Sequence, residues 1–82
     1  MQSLKDKVVI VTGGGSGIGS AICRRFGEAG SVVAVFDINQ PSAETVAAGI
    51  RSAGGKATAF AVDLTSQESV NAAVAAAEQR LG

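Results

Sequence analysis

The chain contains no histidine, no tyrosine and no tryptophan. Histidine and tyrosine are the aromatic side chains that most often move protons in catalysis, and histidine is the usual zinc ligand. Their absence excludes the commonest acid–base and zinc chemistry from these residues. A single cysteine, Cys23, leaves no partner for an internal disulfide and points to a reducing compartment, with the cytoplasm as the expected location. An excess of either charge is also lacking. Seven basic and seven acidic side chains cancel, so there is no basic field to attract nucleic acid and no polybasic surface to hold a membrane. Long apolar runs are missing too. The opening "MQSLKDK" leads into about five apolar residues before a cluster of glycines, short of the roughly 7–15 of a signal-peptide core and the roughly 20 of a membrane span.

What is present reads as globular. Of 82 residues, 46% are apolar and 17% charged, enough for one small domain over residues 1–82. A domain of this size buries only roughly 60% of the surface its unfolded chain exposes, so marginal stability is expected. Three apolar runs predict strands: "VVIVT" (Val8–Thr12), "SVVAVFD" (Ser31–Asp37) and "ATAFAVD" (Ala57–Asp63). The first two are nearly continuous rather than alternating, which predicts strands covered on both faces, as in a parallel sheet. The third is alanine-rich and weaker.

The intervening segments predict helices. In the first, Ile18, Ile22, Phe26 and Ala29 recur at helical spacing, Gly27 weakens the helix, and Gly30 can close it. The second starts near Pro41–Ser42, turns Val46, Ala47, Ile50 and Ala53 inward, and ends at Gly54-Gly55. The third opens on Thr65 and Glu68 at capping-box spacing and carries Val70, Val74, Ala77 and Leu81 as its apolar stripe. The order is therefore β-α-β-α-β-α, with strand ends at Thr12, Asp37 and Asp63, 25 and 26 residues apart. Right-handed crossovers place the first two helices on one face of the sheet and the third on the other. This is the N-terminal half of a doubly wound parallel sheet. The first strand is central in the complete design. Its free side here is expected to be a bare apolar edge, and the chain, ending at Gly82 before a fourth strand, the front part of a larger protein.

The chemistry concentrates in "TGGGSGIG", five glycines in seven positions between a strand and a helix. Gly13, Gly17 and Gly19 are spaced G-x-x-x-G-x-G rather than G-x-G-x-x-G, since Ser20 stands where Gly15 and Gly17 would need a third glycine. Gly13 suits a tight turn, Gly17 a close approach of backbone to a ligand, and Gly19 close packing of the helix on the sheet. The helix start offers unpaired N–H groups and the positive end of its dipole, which fit a pyrophosphate. Asp37 ends the second strand 20 residues after Gly17, where a dinucleotide site needs an acceptor for ribose hydroxyls. A 2′-phosphate beside Asp37 would meet a like charge, at about 4 kcal/mol for a 4 Å pair at an effective dielectric near 20. Ser16, Ile38 and Asn39 supply no compensating cation, which favours NAD over NADP. The alternatives are a glycine turn that binds nothing and a strand-end or capping role for Asp37. Asp63 has two open roles, acceptor for an adenine amino group or turn residue before Thr65. Cys23 reads as a packed thiol, and Lys5, Lys7, Arg24, Arg25 and Lys56 as solvated residues.

These residues, "VVIVTGGGSGIG", then "AVFD", then "AVDLT", resemble the first half of the cofactor domain of a classical short-chain dehydrogenase/reductase with a Rossmann fold. The resemblance covers essentially the whole chain. It implies that the turn from Gly13 to Gly19 holds the pyrophosphate, with Ser16 and the Ile18 backbone nearest to it. Asp37 would hold the adenosine ribose, Ile38 would lie against the adenine, and Asp63 and the Leu64 backbone would meet the adenine edge. The implied activity is hydride transfer between NAD and a small-molecule substrate carrying a hydroxyl or ketone, of hydroxyacyl or oxoacyl type, in a homo-oligomer, commonly a tetramer. The family's catalytic Asn-Asn-Ala-Gly segment, Ser and Tyr-x-x-x-Lys are absent, so no catalytic residue is expected here and no turnover by this chain alone. Two rivals remain open. One is an S-adenosylmethionine-dependent methyltransferase, which shares the glycine turn and the acid after the second strand. The other is a non-enzymatic nucleotide-binding or assembly module pairing through the bare edge.

Overall fold

The computed structural model describes residues Leu4–Leu81; Met1–Ser3, within the opening "MQSLKDK", and Gly82 lie outside them. The elements are β1 (Val8–Thr12), α1 (Gly17–Glu28), β2 (Val32–Asp37), α2 (Gln40–Ser52), β3 (Lys56–Ala61) and α3 (Gln67–Leu81). The strands form one parallel sheet in the order β1-β2-β3, with Val8 opposite Val32 and Val32 opposite Lys56. This is the Rossmann-like N-terminal half of an α/β doubly wound fold.

Two cores lie on opposite faces of the sheet, as the crossover rule requires. On one, Val33 and Val35 of β2 and Ala57 and Ala59 of β3 pack with Cys23 of α1 and Val46, Ala47 and Ile50 of α2. On the other, Ala34, Phe36, Phe60 and Val62 meet Ala73 and Ala77 of α3, with Val70, Val74 and Leu81 at its margin. The Phe36 and Phe60 rings meet edge to face at 5.5 Å, a geometry that contributes about 0.5–1.5 kcal/mol beyond the buried area.

β2 is covered on both faces, as its unbroken apolar run predicts. β1 departs from that expectation. Val11 is buried, but Ile10 and Thr12 are exposed. The reason is where the third helix lies: it packs on β2, β3 and Val62 and leaves that face of β1 uncovered.

The α1 stripe is also corrected. Ile18 is 82% and Ile22 42% exposed, while Cys23 is fully buried. This helix packs through small groups. A Cβ at Gly27 would lie 2.8 Å from Ile50 Cγ2, so the glycine read as a helix weakener is what lets α1 approach α2. Gly30, at φ +89°, follows the end of α1, and Gly54, at φ +92°, follows that of α2. Ala53 ends α2 as an exposed residue rather than part of its inner face, and Ala43 joins the buried set.

Candidate functional site

All three strands end on one edge of the sheet, and the chain makes three turns there. The first is the glycine loop. Gly13 adopts φ +68°, a backbone state that side chains disfavour. The next N–H groups turn toward the second strand: Gly14 N–H donates to the Phe36 carbonyl at 3.2 Å, and Gly15 N–H donates to Asp37 Oδ2 at 3.0 Å. A Cβ at Gly14 would come within 2.8 Å of both Cys23 Sγ and Val35 Cγ1, and one at Gly15 within 2.9 Å of Asp37 Oδ2 and of the Ala43 nitrogen. The loop is thus pressed between the core below and the start of α2 beside it. Gly19 packs against the carbonyl of Gly13 itself, so its missing side chain brings the helix onto the turn rather than onto the body of the sheet.

The loop delivers α1 with its N-terminus open. Ser16 is the N-cap, but its hydroxyl makes no capping bond, and the first turn carries no acidic side chain. The Ser16 hydroxyl donates to the Gly13 carbonyl at 3.4 Å and that of Ser20 to the Gly17 carbonyl at 2.8 Å. Among the described residues no acceptor meets the N–H groups of Gly17, Ile18 or Gly19. Gly17 has open space where its Cβ would be. Three orphan donors at the positive end of a twelve-residue helix suit an anion.

Asp37 joins the three strand ends. Its Oδ2 accepts from Gly15, its Oδ1 accepts from Asn39 N–H at 3.0 Å, and its carbonyl accepts from Val62 N–H at 3.0 Å. Asn39 then caps α2, its Oδ1 accepting from Ser42 N–H at 3.1 Å. The cap is a signal the sequence carried, an Asn just before a Pro-containing first turn. It places the helix start at Gln40 rather than at Pro41–Ser42.

The third turn follows β3. Asp63 Oδ1 accepts from the Thr65 hydroxyl at 2.6 Å and from Thr65 N–H at 2.9 Å. Those bonds, the hydroxyl's first, hold the Asp63 carboxyl below the ordinary aspartate pKa. Of the two roles open to Asp63, the turn role is therefore realised in the free chain. The expected capping box from Thr65 to Glu68 does not form: Ser66, not Thr65, precedes α3 and caps it singly, its Oγ accepting from Ser69 N–H at 3.1 Å. The Ser69 hydroxyl accepts in turn from Asp63 N–H at 3.0 Å.

A cleft of about 210 Å³ lies between these turns, lined by Gly13, Asp37, Ile38, Val62, Asp63, Leu64 and Thr65. Five of the nine expected site residues meet there: Gly13, Asp37, Ile38, Asp63 and Leu64. Ile38 and Leu64 are 72% and 52% exposed, two apolar side chains left at the rim. Ser16, Gly17, Ile18 and Gly19 are not in the cleft wall but at the adjoining start of α1. Val62, Thr65 and Cys23 were not among the expected residues, and Gly14 and Gly15 entered only as part of the turn from Gly13 to Gly19. The unbroken "GGG" at 13–15 was the available sign of the two middle glycines. Cys23 lies fully buried under the loop, its Sγ 3.8 Å from the Gly14 carbonyl, and burial pushes its thiol pKa up. Among the described residues no group of three His, Cys, Asp or Glu is placed to hold a metal ion, and no helix is long and apolar enough to cross a membrane.

Comparison with known proteins locates this arrangement. A family model described as short chain dehydrogenase matches residues 7–82. The 2,5-dichloro-2,5-cyclohexadiene-1,4-diol dehydrogenase LinX of Sphingobium indicum is 44% identical over 79 residues, covering 96% of this chain and 32% of that protein. The chain thus spans about a third of the length of such relatives. A protein from Haemophilus influenza described as a D-mannonate oxidoreductase, solved with bound NAD, superposes with a TM-score of 0.93 at 28% identity, over 96% of this chain and 28% of that one. A metagenomic short-chain oxidoreductase in complex with NADP gives 0.90 at 32% identity, over 98% and 36%. The matches leave the S-adenosylmethionine reading without support. With a glycine turn, an open helix start and an acid closing the second strand all at one sheet edge, the chain belongs to the short chain dehydrogenase family.

Proposed function

We propose that residues 1–82 are the adenine-side part of an NAD-binding domain, in an oxidoreductase that moves a hydride between nicotinamide and a hydroxyl- or ketone-bearing small molecule. The observation that carries this reading is the Asp37 carboxylate, held beside the glycine turn and, among the described residues, in no ion pair with a Lys or Arg. The pyrophosphate fits the unpaired N–H groups of Gly17, Ile18 and Gly19 next to Ser16, and the ribose hydroxyls fit Asp37. The adenine fits the cleft, where Ile38 and Leu64 offer apolar contact and Asp63 an acceptor. When bound, the nicotinamide supplies the hydride chemistry.

Relatives of this fold carry NAD in one case and NADP in another, so the choice rests on this chain's own charges. A 2′-phosphate 4 Å from Asp37 meets about 4 kcal/mol of repulsion at an effective dielectric near 20, less where water screens it. The lining of the cleft contains no Lys or Arg to offset it. Calorimetric titration tests this: NAD is expected to bind at least about tenfold tighter than NADP, and Asp37→Ala to narrow that gap. Equal affinities in the unaltered chain would refute the assignment. The substrate is proposed to be of hydroxyacyl or oxoacyl type and the assembly a homo-oligomer, both from the family resemblance, and the cytoplasm is proposed as the location from the lone Cys23. The chain has no Tyr, so the proton donor that the resemblance implies lies outside these residues. The 82 residues alone are expected to show no turnover in a dehydrogenase assay.

A further inference from the structure

We infer that Asp37 is also a positioning residue for the glycine loop, acting on the cofactor's phosphates through Gly15; this rests on the dinucleotide reading above. A carboxylate that served only the ribose would point both oxygens into the cleft. Here each already accepts a backbone N–H, Oδ2 from Gly15 across 22 residues and Oδ1 from Asn39, both at 3.0 Å. The first bond ties the middle of a loop that has few other anchors. Gly14 N–H reaches the Phe36 carbonyl, Ser16 N–H reaches Gly13 at a weak 3.4 Å, and the next three N–H groups are unpaired.

The loop is also built so that this bond can form. Only a residue without Cβ leaves Gly15 close enough, because a Cβ would stand 2.9 Å from that same Oδ2. Hydrogen bonds to ionised acceptors are among the stronger ones, and each carboxylate oxygen keeps a second lone pair for a ribose hydroxyl. Asp37 can therefore brace the loop and hold the sugar together. The brace fixes Gly15, two residues before the unpaired donors begin at Gly17, and so sets the register in which those donors face the phosphates.

The two roles separate with a ligand that lacks one of them. An NAD analogue without either adenosine ribose hydroxyl cannot use Asp37 as a sugar acceptor. If the sugar contact were the whole role, Asp37→Ala would leave the affinity for this analogue unchanged. Removing an acid from beside an anion site would even strengthen binding by charge alone. The brace predicts the opposite sign: Asp37→Ala binds the analogue about five- to tenfold more weakly than the unaltered chain does, and Gly15 amide hydrogen exchange speeds up by a similar factor without any ligand. Asp37→Asn keeps the side-chain volume and one acceptor oxygen, so it falls between the two in both measurements, and it decides the matter if the alanine variant does not fold. Unchanged Gly15 exchange, or analogue binding equal to or tighter than that of the unaltered chain, overturns the inference while leaving NAD binding intact. Failure of the unaltered chain to bind NAD at all overturns the cofactor reading and this role with it, whatever the exchange rates.

Discussion

At the scale of single residues the site is shaped by what is missing from side chains. Gly14 has no room for a Cβ, with Cys23 Sγ and Val35 Cγ1 both 2.8 Å from where it would stand and both residues fully buried. Gly14→Ala is therefore expected to destabilise the fold by about 1–3 kcal/mol, read as a shift in the urea midpoint. Adding Cys23→Ala, which opens space under the loop, should recover part of that loss. The Cys23 thiol is held protonated by burial, so its contribution is full below the usual thiol pKa and is lost as pH rises through its raised folded-state value. Asp63 runs the other way. Its pKa is lowered by the Thr65 hydroxyl first and the Thr65 N–H second. The stability it contributes is present above the ordinary aspartate pKa and is lost as pH falls through the folded value. Thr65→Val removes the larger cause and keeps the shape, so a carboxyl-detected NMR titration should find the Asp63 pKa moved up toward its ordinary value.

At the scale of elements the first two helices begin differently. α2 is capped by Asn39 and carries Pro in its first turn, whereas α1 leaves its first N–H groups without acceptors. One start is closed by its cap, and the other is left open. Asn39→Ala should cost about 1 kcal/mol of unfolding free energy in chemical denaturation. It should also disturb Asp37, whose Oδ1 accepts from the Asn39 backbone, less than it disturbs the helix, because the backbone donor survives the substitution. The surface ion pairs are of another order. Arg25–Glu28 at 3.2 Å and Lys56–Asp6 at 3.4 Å are largely exposed, and pairs of this kind contribute little.

At the scale of the whole molecule β1 and β3 are the edges of the three-stranded sheet, and β1 is also uncovered on the face that carries Ile10 and Thr12. That strand is short, uncharged and without proline, and Ile10 is 40% exposed on it. Such an edge is a template for another strand. The 82-residue chain studied alone is expected to self-associate with rising concentration in sedimentation velocity. Ile10→Lys, which puts a charge on the edge, should return it toward monomer. A chain that stays monomeric without the substitution would mean that the edge is protected by something other than a partner strand.

Much was legible in the sequence, for identifiable reasons. Continuous apolarity marked β2, and the near-even spacing of strand ends marked the βα repeat, although β3 ends at Ala61, two residues before the expected Asp63. Glycine at positive φ marked the turns at Gly13, Gly30 and Gly54, because those are local properties of a few adjacent residues. Asp37 could be placed at a strand end and so at the right edge of the sheet. Only tertiary structure decided which face of α1 is buried, since Cys23 rather than Ile18 or Ile22 lies over the core. It alone decided that Gly14, Gly15 and Gly27 are glycines because of neighbours remote in the chain, and that the Asp37 carboxylate reaches back 22 residues to hold the loop. Periodicity and spacing report what a residue does to its own backbone, whereas contact across the fold depends on where the other elements come to rest.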